Sequence, residues 1–194
     1  MLKLKYNAPV ILTFVILSTV IVALSTTLFP GLIPAWFAVG PKGSFKFDSL
    51  HSYITLFSHV LGHSSWDHLA GNMLLILVIG PLLEEIYGAS EMIFMIAVTA
   101  LVTGLANIFF FSTGLLGASG VVFMLVLLAS FTNFRKGEIP LTFILVLILY
   151  VGQEFLAAFN RDGISHFAHI AGGFCGSLFG FFRDTPRKTS VTPV

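Results

Sequence analysis

The sequence predicts an all-α polytopic membrane protein, a bundle of six transmembrane helices with both termini in the cytoplasm. Three observations predict it. Of 194 residues, 56% are hydrophobic and only 10% charged, whereas ordinary soluble domains carry about 25% charged residues. The mean hydropathy is +0.96. Six apolar segments recur along the chain, and a transmembrane helix needs about 20 mostly apolar residues. Alternation of apolar and polar residues is absent, which argues against a β-barrel. The net charge of +1 gives no reason to invoke nucleic acid.

The first segment, roughly 8–29, follows Lys3 and Lys5. With Ala23-Leu24-Ser25 as a processing site it resembles a signal peptide, but its apolar stretch is longer than a typical h-region, so it reads as a helix. Pro30 to Asp67 comes next and carries Pro34, Trp36, Gly40, Pro41 and Gly43. It is long enough to fold over the outer surface. Helices at 68–87, 91–111, 119–134, 140–159 and 166–182 complete a single domain spanning 1–194, joined by short connectors. No internal repeat is present. Cys175 is the one cysteine, cannot form an internal disulfide, and reads as a packing residue in an apolar run.

Basic residues set the orientation. With the N-terminus inside, Lys3, Lys5, Arg135, Lys136, Arg183, Arg187 and Lys188 are cytoplasmic, leaving Lys42, Lys46 and Arg161 outside. The second, fourth and sixth helices then all start from the outer side. That places His68 and Asn72, Ser119, and His169 near the outer ends of their helices, where they can share one site.

Polar side chains at membrane depth are costly and mark function. Ser119 lies 16 residues before Arg135, so a continuous helix would raise it about 24 Å above the cytoplasmic interface. His169 lies 14 residues before Arg183, or about 21 Å by the same rise. Hydrolysis at that level needs water, which requires a cavity open to the outside. His169, Gly172, Gly176 and Gly180 are spaced three, four and four apart and so share one helix face. Such small-residue stripes let backbones approach closely in lipid. Packing that face on the fourth helix would carry His169 to Ser119.

His59 and His63 are four apart and raise a metal reading. No His-Glu-x-x-His motif is present, and no carboxylate lies within three residues of that pair to complete a catalytic zinc set. The expectation is therefore no metal and no cofactor, with His59 and His63 structural, hydrogen-bonding the outer loop. His68 and Asn72, one turn apart, instead offer two side-chain donors. Beside the Ser119 backbone N–H they would form an oxyanion hole.

The pattern His59-x3-His63-x4-His68-x3-Asn72, then Gly117-x-Ser119-Gly120, then Ala168-His169-x2-Gly172-x3-Gly176 resembles the rhomboid family of intramembrane serine proteases. The resemblance covers the second to sixth segments. It implies a compact six-helix bundle with a Ser119–His169 dyad and an oxyanion hole of His68, Asn72 and the Ser119 amide. Gly117, Gly120, Phe123, Gly172 and Gly176 support them. It also implies that the Pro30–Asp67 segment lies partly in the outer leaflet and that Glu84 ties helices together. Better-known bacterial members place tyrosine where this chain has Phe123, so stacking on the histidine survives without the hydroxyl. They carry a Trp-Arg pair where Ile54-Thr55 stands here.

The expected chemistry is nucleophilic catalysis, with His169 taking the Ser119 proton and later protonating the leaving amine. Asp162 and Glu154 are alternatives for a third member, but Asp162 reads more simply as a solvated loop charge and Glu154 as an interfacial polar group. His166 reads as interfacial. The partners implied are single-span transmembrane substrates in the lipid bilayer of the cell membrane, cut from the extracytoplasmic side. No motif encodes an oligomeric state.

Overall fold

The computed structural model describes residues 5–131, 138–152 and 166–182. Among these residues there is no β-strand; the elements are helices. Three of the helices are long and apolar enough to cross a membrane: α1 (Pro9–Thr27), α4 (Trp66–Tyr87) and α5 (Ala89–Phe110). The 22-residue α4 and α5 are each about 33 Å long, matching a hydrocarbon core of about 30 Å. Their outward faces carry exposed Leu74, Val78, Leu82 and Ile93, the side chains that lipid would solvate.

α1 starts with Pro9 at its first turn, but its N-cap, Ala8, supplies no side-chain acceptor. The acceptor comes from α4. The Glu84 carboxylate takes the Val10 and Ile11 N–H groups at 3.0 Å each, satisfying two donors that the helix start leaves without an intrahelical partner. Glu84 is only 5% exposed, so the two charge-assisted bonds are what hold it there. The helices run antiparallel and close together. A Cβ on Gly80 would stand 2.7 Å from the Ile11 side chain. Gly88, with φ of +87°, ends α4 and turns the chain into α5.

Residues 30–65 carry structure that the loop expectation did not contain: α2 (Leu32–Trp36), α3 (Leu50–Ser58) and a 3-10 turn (His59–Leu61). The segment is fastened to the chain just beyond α5. Val39 and Leu115 exchange both backbone bonds at 2.8 and 2.9 Å, and Lys42 N–H donates to the Phe111 carbonyl. The buried Asn107 amide donates to the carbonyls of Gly40 and Thr113, both at 3.0 Å.

α6 (Ser119–Ala129) occupies the centre, with every residue from Gly120 to Leu128 buried. α7 (Leu141–Val146) passes into a π turn (Leu147–Val151), and α8 (His166–Phe182) packs along α6. α6 is shorter than the 119–134 expected. Its end is marked by Ser130, whose hydroxyl donates to the Leu127 carbonyl and competes with the backbone ladder. A continuous-helix rise from Arg135 therefore does not apply; Ser119 stands about 15 Å above Ala129. Residues 132–134 and 153–159 of the expected segments lie outside the described residues, as do Lys3, Arg135, Lys136, Arg161, Arg183, Arg187 and Lys188.

Candidate active site

The geometry of the site begins with a glycine that has little freedom to change. Gly117 has φ of +114°, and a Cβ there would lie 2.8 Å from the His68 ring. Its N–H donates to the His59 carbonyl at 3.0 Å. The next N–H, of Ala118, donates to His63 Nε2 at 3.3 Å. His63 Nδ1 faces the Leu61 carbonyl at 3.2 Å. A carbonyl only accepts, so Nδ1 carries the proton and Nε2 offers its lone pair to Ala118. This arrangement requires a neutral imidazole. Burial, with the neighbouring His68 adding to it, lowers the His63 pKa to about 4.

His59 is likewise held neutral, its pKa lowered to about 4 by burial against the opposing effect of backbone bonds at Thr55 and Leu56. Its Nδ1 lies 3.2 Å from the Thr55 carbonyl and its Nε2 3.3 Å from the Thr103 hydroxyl. Both histidines were expected to bond the outer loop. They also hold the two residues immediately before Ser119.

With Gly117 and Ala118 engaged, Ser119 opens α6 as its first residue. Its N–H and those of Gly120 and Val121 have no intrahelical carbonyl to meet and sit at the positive end of the helix dipole. A developing negative charge near Ser119 would meet those donors.

His169 lies in the first turn of α8 and stacks flat on Phe123 of α6, with centroids 4.6 Å apart and planes 11° apart. The helices carrying these two rings touch backbone to backbone. A Cβ on Gly172 would stand 2.0 Å from the Gly120 carbonyl oxygen, and one on Gly176 2.2 Å from that of Met124. Gly120 is itself tight, its Cβ position 3.1 Å from Thr103 and 3.3 Å from the Ala168 carbonyl. Matching Gly172 to Gly120 and Gly176 to Met124 makes α6 and α8 parallel and in register. Ser119 and His169 fall at the same end of that pair.

α4 supplies the third wall. Ser65 caps it, accepting from the His68 N–H at 3.1 Å. Asn72 is 8% exposed and donates one amide hydrogen to the His68 carbonyl at 3.2 Å, which leaves its second for another acceptor. His68 Nδ1 lies 3.2 Å from the Ser64 hydroxyl, and its ring meets that of His63 edge-on at 5.0 Å. Ser119, His169, His68, Asn72 and Phe123 all line one cavity of about 740 Å³. A second cavity of about 570 Å³, between α1, the 3-10 turn and α5, is lined by apolar side chains and Thr13, with no acid–base group among the described residues.

Glu154 and Asp162 lie outside the described residues, as does the His166 side chain. Among the described residues no group of three metal-ligating side chains occurs. Sequence reasoning missed that Ser64 and Asp67 also line the cavity. Their place beside His68 in the chain was the available signal.

Fold and site define a multi-pass helical membrane protein in which neighbouring helices bring a serine and a histidine to one cavity. Residues 50–184 match the family model of the rhomboid domain, well over half of the chain, and the chain belongs to the rhomboid family. It is 25% identical to the rhomboid protease GlpG of Haemophilus influenzae over 137 residues, covering 69% of this chain and 71% of that one. It is 32% identical to the rhomboid-related protein 2 of Mus musculus over 64% of this chain and 46% of that protein. Against the rhomboid-related protein 1 of Caenorhabditis elegans it is 33% identical, over 64% of this chain and 38% of the relative. The chain thus spans less than half the length of the two animal relatives.

Proposed function

We propose that this chain is an intramembrane serine endopeptidase that cleaves transmembrane segments of substrate proteins near the outer boundary of the cell membrane. The observation that carries the reading is the convergence of Ser119 from α6 and His169 from α8 on one cavity, beside the donors of α4. Family membership and the GlpG relatives, named as rhomboid proteases, support it. The full reading has six membrane-crossing helices, both termini in the cytoplasm and the cavity opening to the extracytoplasmic side. Neither metal nor cofactor enters the chemistry.

In the mechanism, His169 takes the proton of the Ser119 hydroxyl as the oxygen attacks the scissile carbonyl. The resulting oxyanion is met by the Ser119 amide, His68 and the spare Asn72 amide hydrogen. His169 then passes its proton to the leaving amine, giving an acyl-enzyme. Water, activated by His169, releases the acyl group and restores Ser119. Phe123 holds the imidazole plane by stacking, and the Gly172 and Gly176 contacts fix its helix against that of the nucleophile. The natural substrates on this reading are single-span proteins.

A fluorophosphonate probe in detergent tests the reading. Wild type should become labelled on Ser119, and Ser119→Ala and His169→Ala should not. An unlabelled wild type, under conditions that label a known rhomboid, removes the proposal.

A further inference from the structure

Among the described residues, the cavity walls carry one carboxylate, Asp67, and no lysine or arginine. Asp67 is exposed and makes no hydrogen bond or ion pair among the described residues. Capping does not account for it, because Ser65 already caps α4; the remaining local benefit is a carboxylate near the positive helix end. One turn further along the same wall is Gly71, also exposed, where an added Cβ would meet nothing within 4 Å. That sets it apart from Gly62, Gly117, Gly172 and Gly176, each of which a Cβ would drive into a neighbour. Glycine inside a helix is unfavourable relative to alanine, and here no packing contact requires it. Another turn along is Leu75, half-buried. The spacing of four places Leu75, Gly71 and Asp67 in one row on the cavity side of α4. The row reads apolar, empty, anionic.

Building on the protease reading, we propose that this row is a substrate subsite selecting a lysine or arginine close to the scissile bond. The aliphatic stem lies across the space left by Gly71 and against Leu75, and the cationic head meets the Asp67 carboxylate. The four residues from Gly71 back to Asp67 rise about 6 Å, a length that a four-carbon stem spans. Long cationic side chains divide between apolar and polar surroundings in this way. The carboxylate beside His68 disfavours glutamate or aspartate at the same substrate position.

The test uses the full chain in bicelles with a cleavable single-span substrate whose cut site is mapped by mass spectrometry. Each position from four residues before the cut to two after it is replaced in turn by Lys, Met, Glu and Ala. At one position Lys should exceed Met in kcat/KM by about fivefold, the upper end for an exposed ion pair, and Met should exceed Glu by a similar factor. Asp67→Asn should level these ratios and Asp67→Lys should invert them. Because each reading is a ratio, a general change in turnover cancels. Gly71→Leu should depress Lys substrates more than Ala substrates. If the Asp67 variants fail to fold, the wild-type Lys-to-Glu ratio should fall as salt is raised. A wild-type ratio near one at every position, or one that neither variant alters, overturns the subsite. Fluorophosphonate labelling of the same preparations separates the two failures. Labelled enzyme with no charge preference rejects the subsite alone, and unlabelled enzyme that cuts nothing rejects the protease reading and the subsite with it.

Discussion

The two sides of Ser119 are held by different physics. On its C-terminal side α6 meets α8 through glycines, with backbone oxygens occupying the space a methyl group would need. On its N-terminal side Gly117 and Ala118 hang from a carbonyl and an imidazole of the 59–63 turn. The first contact is steric and indifferent to pH. The second depends on a lone pair that a proton can take. The serine thus inherits its position from packing and the orientation of its amide from hydrogen bonds, and the two can be disturbed separately.

The largest disturbance should come from Gly172→Val. Its side chain would overlap the Gly120 carbonyl, where even a Cβ stands at 2.0 Å. Separating α6 from α8 should abolish labelling of Ser119 and lower the melting temperature, overpacking of this kind costing about 3 kcal/mol. Retention of wild-type labelling would break the steric half of the comparison.

If Asn72 acts in the proposed mechanism as an oxyanion donor, Asn72→Ala should leave the fold intact and reduce turnover through a barrier raised by roughly 2.7–4 kcal/mol. Unchanged turnover would remove Asn72 from the site.

The hydrogen-bonded side should be the one that responds to acid. His59 and His63 are neutral in the fold with pKa values lowered to about 4 from 6.5. Between pH 6.5 and 4 the unfolded chain takes up protons that the folded one refuses, so stability is complete above 6.5 and falls as pH drops through that window. For the fully buried His59 the loss reaches about 3 kcal/mol. Thermal melts across this range measure it. His63→Gln supplies an acceptor for Ala118 and a donor for Leu61, so it should shallow the acid slope, whereas His63→Leu should lower the melting temperature even at pH 7. A slope unaltered in both variants would assign the acid response elsewhere.

Smallest is Glu84→Ala, which leaves the Val10 and Ile11 N–H groups without their acceptor. A melting-temperature loss corresponding to about 1.5–3 kcal/mol is expected, the range for hydrogen bonds to charged groups. Activity measured well below the melting temperature should be retained, since neither side of Ser119 is touched.

Much of this was legible in the sequence because it depends on periodicity. A stripe of glycines four apart states which face packs closely, and its spacing of three from His169 states what that face carries. Histidine and asparagine four apart declare a shared helix face in the same way. The 30–65 segment was opaque because its fastenings are backbone groups, Val39 to Leu115 and Lys42 to Phe111, and every residue but proline carries the same N–H and C=O. The partner of His63 was hidden for the same reason, an amide 55 residues away. The α6 terminus was misplaced because an apolar run to Phe134 shows what lipid tolerates, while a serine hydroxyl bonded to Leu127 decides where the ladder stops.

The Glu84 carboxylate also bears on biogenesis. Its two acceptor bonds join positions 73 and 74 residues apart, so the start of α1 acquires its seal only after α4 has been made and has entered the membrane beside it. During synthesis α1 therefore waits with its N-terminal end unsealed, and completing that helix start and docking α1 on α4 are a single assembly step.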